Sequence, residues 1–357
     1  MEKTKNIDRI ETIAAGRLPE KSELAELLAT YTEEERTYAA CKARKVARSI
    51  FGRQVFLRGL IEISNYCKND CYYCGIRRSN KNASRYRLTE DEILACCRMG
   101  YADGFRTFVL QGGEDLYFTD ERVSALVSRI RESFPDCAIT LSLGERERES
   151  YQRFFDAGAD RYLLRHETAC PAHYGKLHPP ELSLAHRMQC LKDLKEIGYQ
   201  TGAGCMVGAP FQTPENLAED FYYLYELRPE MIGIGPFIPH KDTPFRDQPP
   251  GTLRDTLFLL SLFRLLFPRV LLPATTALGT IQPDGREQGI LAGANVVMPN
   301  ISPEEARRRY LLYDGKAGSV GDGAVMRKKL RSAIRAVGYD PVVSRGDYPK
   351  EGGNDHD

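Results

Sequence analysis

Short β-prone runs alternate with helical stretches along most of this chain, and that alternation restricts the fold more than any other feature. The runs are Val55–Ile63, Phe105–Leu110, Ala138–Leu143, Arg161–Arg165, Thr201–Val207, Met231–Ile234, Val270–Pro273 and Asn295–Met298. They recur at roughly thirty-residue intervals, the length of a strand–helix–strand unit. Several of the intervening segments carry a helix start signal: Thr89-Glu90-Asp91-Glu92 is a capping box, and Thr213-Pro214-Glu215 puts proline at the first helical position. Eight such units predict an α/β fold closed as a parallel (β/α)8 TIM barrel over residues 55–315. An open sheet with fewer parallel strands is the alternative. Residues 1–54 have apolar groups at three- and four-residue spacing, in Ser22–Leu28 and Glu33–Ile50, and predict an N-terminal helical extension on the outside of the barrel. Residues 316–357 are expected to form a short C-terminal helix and, after Tyr348, a disordered polar tail. Leu253–Phe267 is apolar but too short for a bilayer span and is read as a barrel helix.

In a barrel of this kind the chemistry gathers at the carboxyl ends of the strands. Those ends are Cys67–Cys74, Gln111–Asp115, Ser142–Glu145, Arg165–Glu167, the region of Met206, Pro236–His240, Ala274–Thr276 and Pro299-Asn300. The polar, chemistry-bearing residues therefore fall on one rim. Net charge excludes little but points away from nucleic acid and membrane as partners, because 50 basic side chains face 49 acidic ones. A polar N-terminus without a signal-peptide core leads us to expect a cytoplasmic protein, where ten cysteines read as ligands or buried thiols and not as disulfides.

Cys67-x3-Cys71-x2-Cys74 places three thiols in one short loop after the first strand. An iron–sulfur cubane takes four ligands, so three local cysteines predict a 4Fe-4S cluster with one open iron. Structural zinc would want a fourth protein ligand, usually from a second short pair, and none is nearby. Next on the rim, the paired glycines of Gln111-Gly112-Gly113-Glu114 allow a ligand to approach the backbone, the alternative being a plain strand-to-helix turn. Alternation puts Arg165 and Glu167 on one face, towards the barrel interior, and His166 on the other as a packing residue.

The triad, with Tyr73 before its last cysteine, resembles the signature of the radical S-adenosylmethionine (SAM) enzymes. Further segments resemble the HydE family within them, the maturases of iron-only hydrogenase: Asn65–Asn82, Leu110–Asp115, Leu141–Glu145, Asp160–Thr168, Gly233–His240, Pro273–Thr276 and Gly293–Asn300. The resemblance runs from about Val55 to Tyr313. It implies that the open iron binds SAM, with the Gln111–Glu114 segment at its amino end and Tyr73, Ser142, Glu167 and Arg187 among its contacts. A carboxylate such as Glu167 can hold ribose hydroxyls, and an arginine fork suits the methionine carboxylate. For helix-borne Arg187 a surface salt bridge is the plainer reading. Thr275, Thr276 and Met298 are implied to line a substrate cavity with Arg165, and Tyr310 and Tyr313 to close over it, with core packing as the rival for both tyrosines.

The function implied is reductive cleavage of SAM to a 5′-deoxyadenosyl radical that attacks sulfur of a cysteine-bound iron carbonyl cyanide. The implied partners are a tyrosine-lyase radical SAM maturase, a scaffold GTPase and an electron donor such as ferredoxin or flavodoxin. A methylornithine synthase-like mutase and a non-catalytic iron–sulfur carrier are the rivals. Biotin synthase holds a second cluster on strand cysteines, and strands two and three here have none. Some HydE proteins carry an accessory cluster on C-terminal cysteines; no cysteine follows Cys205, so that cluster is expected to be absent. Cys170 and Cys205, near strand ends four and five, are read as plain thiols, like Cys41, Cys96, Cys97, Cys137 and Cys190.

Overall fold

The computed structural model describes residues 4–349. Its strands are β1 (Gln54–Leu57), β2 (Gly59–Ser64), β3 (Thr107–Gly112), β4 (Ala138–Ser142), β5 (Arg161–Leu163), β6 (Gln200–Ala203), β7 (Met206–Val207), β8 (Met231–Ile232), β9 (Gly235–Pro236), β10 (Val296–Val297) and β11 (Asp340–Val342). A six-stranded parallel sheet runs in the order β2-β3-β4-β5-β6-β8. The ring then closes through single bridges, Met231 to Leu271, Pro273 to Val296 and Leu60 to Asn300, while β10 pairs with β1. Leu271 N–H donates to Glu230 O at 2.9 Å, and Phe56 N–H to Asn295 O at 2.9 Å. All eight expected strand positions are thus occupied, in a parallel barrel with crossover helices. The seventh, Val270–Pro273, is too irregular to count as a strand.

Helix starts follow the local chemistry. Thr89 and Glu92 bond reciprocally as a capping box on Glu90–Ala102, and Thr213 caps Pro214–Leu227. Leu253–Leu266 is buried around its whole circumference from Thr256 on. The cause lies in the N-terminal extension, whose helices Lys5–Ala14 and Glu33–Phe51 pack on it while Lys21–Thr30 covers Pro214–Leu227. A helix enclosed on both sides has no face left for polar residues. Tyr31 stacks on Phe258 at 3.9 Å to seal this contact.

Beyond the helix Gly323–Ala336 the chain is ordered where the sequence reading placed no strand. β11 pairs in parallel with β1, and Ser344–Tyr348 then crosses the amino end of the barrel. Arg345 O accepts from Thr107 Oγ1 at 2.7 Å and Arg161 Nη2 at 2.8 Å. Asp347 Oδ1 meets Arg161 Nη2 at 2.6 Å and Gln200 Nε2 at 3.0 Å. Gly346, with φ +56°, lies flat on Phe56; a Cβ there would stand 2.6 Å from the ring. Apart from Pro349, the expected disordered tail lies outside the described residues. Among those described, no helix is long and apolar enough to cross a membrane.

Candidate active site

The three cysteines sit in the loop between β2 and Glu90–Ala102, at the carboxyl mouth of the barrel. The loop is pinned from several sides. Asp70 accepts from Arg77 at 2.7 and 2.6 Å and from Ser79 N–H at 2.9 Å, while Arg85 donates to Ile76 O at 2.8 Å and Arg77 O at 2.6 Å. Neighbouring elements add Tyr72 N–H to Leu177 O at 3.0 Å and Gly75 N–H to Leu312 O at 2.8 Å. Gly113 packs so tightly beneath that a Cβ would lie 2.2 Å from Tyr66 O and 2.8 Å from Cys67 Cβ. The second glycine of the Gln111–Glu114 segment is therefore required by the cysteine loop itself.

None of the three cysteines is in a disulfide. Burial pushes each thiol up, Cys74 to about 12, and the neighbouring sulfurs of the triad raise Cys71 and Cys74 further. Among the described residues the only three metal-capable donors that all lie within 4.8 Å of one another are His166, Cys205 and Asp220. Three thiols on one loop, with no fourth donor beside them in the sequence, fit an iron–sulfur group with one open iron. His166, Cys205 and Asp220, though close, do not fit a cation: Gly204 N–H donates to His166 Nδ1 at 3.3 Å, which leaves the proton on Nε2, facing Asp220 Oδ1 at 3.2 Å.

Around the triad, the rim is tightly coupled. Gln111 and Ser142 are register partners on β3 and β4, and Gln111 Nε2 reaches Tyr310 Oη at 3.3 Å. Glu114 is buried; its Oε1 accepts from Glu145 N–H at 3.0 Å and its Oε2 lies 3.2 Å from Lys68 Nζ. Tyr73 Oη lies 3.1 Å from His178 Nε2. Because His178 Nδ1 donates to Tyr174 O at 3.0 Å, Nε2 is the acceptor. Burial, then Arg187, lowers His178 to about 3, so this imidazole is neutral.

Glu167 has φ +67°, the left-handed region that a carboxylate-bearing residue rarely occupies. Its N–H is held by Gly204 O at 3.0 Å. Its Oε2 lies 2.9 Å from Arg165 Nη2, but the two are not aligned for hydrogen bonding, so Arg165 Nε and Nη2 and Glu167 Oε2 are buried without hydrogen-bond partners. A strained backbone beside a buried ion pair with unused hydrogen-bonding capacity marks this strand end as a candidate ligand site. Arg187 is buried, which removes the surface salt bridge reading; it donates through Nε to Glu145 and through Nη1 to Arg165 O at 2.7 Å. Glu145 was named only as the end of a strand motif, and no local signal marked it as the anchor of Arg187.

The other expected substrate residues scatter. Thr275 Oγ1 is buried without a partner next to Gly235. Thr276 Oγ1 accepts from Arg286 at 3.2 Å and lines a side cavity of about 340 Å³ with Lys316 and the C-terminal helix. Tyr313 lies near Thr280 and Arg286, and burial pushes its hydroxyl up to about 12. Met298 packs with Phe56, Met231 and Leu271 lower in the barrel. Cys205 is buried behind Glu167, and Cys170 caps the helix Pro171–Leu177. A further pair went unread: Lys316 Nζ bonds Glu62 inside the barrel and Tyr310 O at 2.8 Å. Glu62 was visible only as a lone charge within an apolar run.

Residues 61–223 match the Radical SAM superfamily. The chain is 48% identical over 274 residues to the [FeFe] hydrogenase maturase subunit HydE of Thermotoga maritima, covering 77% of this chain and 78% of that protein. It is 30% identical over 345 residues to the 3-methylornithine synthase of Methanosarcina acetivorans, covering 95% of each. A crystal structure of methylornithine synthase (PylB) superposes with a TM-score of 0.81 at 27% identity, over 93% of this chain and 97% of that one.

Proposed function

Because the chain belongs to the radical SAM superfamily, whose enzymes use a 4Fe-4S cluster and SAM, we propose that it is a maturase of [FeFe] hydrogenase. The observation that carries this reading is the 48% identity to HydE across about three quarters of both chains.

In this reading Cys67, Cys71 and Cys74 hold the cluster as thiolates and leave one iron open. When bound, the cluster and SAM supply one-electron cleavage of the sulfonium to a 5′-deoxyadenosyl radical. The protein's part is to bind, orient and shield. Glu167, strained and with Oε2 beside Arg165 but not hydrogen-bonded, would accept hydrogen bonds from the ribose hydroxyls. Arg187, fixed by Glu145 and Arg165 O, would hold the methionine carboxylate with what remains of its fork. Gln111, Gly112, Gly113, Glu114 and Ser142 form the wall at the amino end, and Tyr73, locked by His178, the wall beside the cysteines. Arg165, ion-paired with Glu167 but with Nε and Nη2 outside any hydrogen bond, would meet an anionic part of the substrate, a cysteine-bound iron carbonyl cyanide. Of the residues expected to line the space beyond, Tyr310 borders it through its bond to Gln111, whereas Thr276 lines the side cavity and Met298 packs lower in the barrel, and Thr275 and Tyr313 would need to be tested by substitution. A tyrosine-lyase maturase, a scaffold GTPase and a ferredoxin or flavodoxin are the partners this role needs, in the cytoplasm.

Full-length similarity to methylornithine synthase favours a second reading, a mutase acting on lysine. Anaerobic reconstitution with reductant and SAM separates them. 5′-Deoxyadenosine formed only with the iron–cysteine complex supports the maturase; turnover on lysine alone moves the assignment to the mutase; no SAM cleavage under any condition ends both.

A further inference from the structure

Beside the cysteine loop lies an exposed face built from aromatics and cations. Leu116 is 73% exposed, Tyr117 44% and Tyr66 37%. Arg87 stands 3.9 Å over the Tyr66 ring and 4.9 Å from Tyr117, and Arg122 covers Tyr117 at 3.8 Å. The carboxylates that meet the cations lie beneath: Asp115 binds Arg87 at 2.7 and 2.9 Å, and Glu114 faces Lys68, both carboxylates being buried. Glu121, exposed beside Arg122, is paired with Arg153 at 3.1 Å, so the groups set around Tyr66, Leu116 and Tyr117 themselves are the cations Lys68, Arg87 and Arg122. Exposed leucine and tyrosine framed by arginine is the composition of an interface core, not of a solvated turn.

The location says what the face receives. Tyr66 is the residue before Cys67, and Gly113, three residues before Leu116, touches Cys67. Each SAM cleavage consumes an electron, which a carrier must deliver to the group that the triad holds. We propose that Tyr66, Lys68, Arg87, Leu116, Tyr117 and Arg122 form the docking face for a small acidic one-electron carrier protein. This rests on the radical SAM reading of the triad and adds where its electron enters. One electron passes from the reduced carrier, oxidised by one, to the group held by Cys67, Cys71 and Cys74, reduced by one; no bond changes at the interface. An acidic partner is steered by the exposed cations, and salt screens that attraction.

The test uses cluster-loaded protein, flavodoxin as the probe carrier and dithionite as a small-molecule reductant. Leu116→Glu and Arg122→Glu should each weaken flavodoxin binding by roughly ten-fold in calorimetry. They should slow flavodoxin-driven cluster reduction alike, and leave dithionite-driven SAM cleavage unchanged. Lys45→Glu, an exposed charge change on the N-terminal helix Glu33–Phe51, should alter none of these. Unchanged flavodoxin affinity in both face variants, or equal weakening by Lys45→Glu, overturns the docking face. Binding that responds to the face variants in a protein that cleaves no SAM overturns the enzyme reading and leaves the docking face standing.

Discussion

At the scale of single residues, the site is defined by groups held where they would not go unaided. Glu167 keeps a left-handed backbone because Gly204 and Cys205 fix the strand end, and it keeps an unpartnered oxygen. Glu167→Gln retains the shape and removes the charge. SAM affinity should fall about ten- to hundred-fold, the worth of a charge-assisted hydrogen bond, while iron content and the cluster absorbance stay unchanged. His178 offers a prediction in pH. Burial and Arg187 hold it at about 3, below its ordinary 6.5, so folding is favoured above 6.5 and weakens as pH falls from there towards 3, where the unfolded chain takes up the proton first. Thermal unfolding between pH 7 and 4 should be measurably flatter in His178→Gln. The sequence made Glu167 and Arg165 legible through strand alternation. It could not reveal the strain at Glu167 or the burial of Arg187, since both depend on residues distant in sequence, Gly204 and Glu145.

Among the elements, those with local chemistry were readable and those made by distant pairing were not. Capping at Thr89 and Thr213 and the apolar length of Leu253–Leu266 are properties of short stretches. β11 is Asp-Pro-Val, with no alternation, and exists because β1 offers it an edge. Its continuation is secured by Asp347. Burial would raise that carboxyl, but Arg161, Arg345 and Gln200 more than reverse this and hold it well below the usual range. The segment therefore adds stability above about pH 4 that is lost on further acidification. Asp347→Ala should cost roughly 2 kcal/mol in chemical denaturation at neutral pH, less than a fully buried pair because Asp347 is partly exposed. Its proteolytic cleavage after residue 343 should also become faster.

For the whole molecule, closure was foreseeable from eight repeating units, whereas the ties across its two ends were not. Lys316, in the chain that returns over the mouth, is bound to Glu62 inside the barrel, both nearly without solvent. Burial raises the Glu62 carboxyl, and Lys316 opposes that rise. Lys316→Met strands the carboxylate and should cost about 3–5 kcal/mol, whereas Glu62→Leu with Lys316→Met should recover most of the loss. Hydrogen exchange across residues 310–321 should rise in the single variant only. A charged pair inside an apolar strand reads as an anomaly until the fold brings its partner from 254 residues away.

Ser344–Tyr348 also governs traffic. With Ser344–Tyr348 lying across the amino end, the carboxyl end, where the cysteine loop stands, is the mouth left to ligands of the barrel's interior. With SAM at that loop, as proposed, a substrate seated deeper would have to go in before it and come out after it, an order set by architecture as much as by affinity.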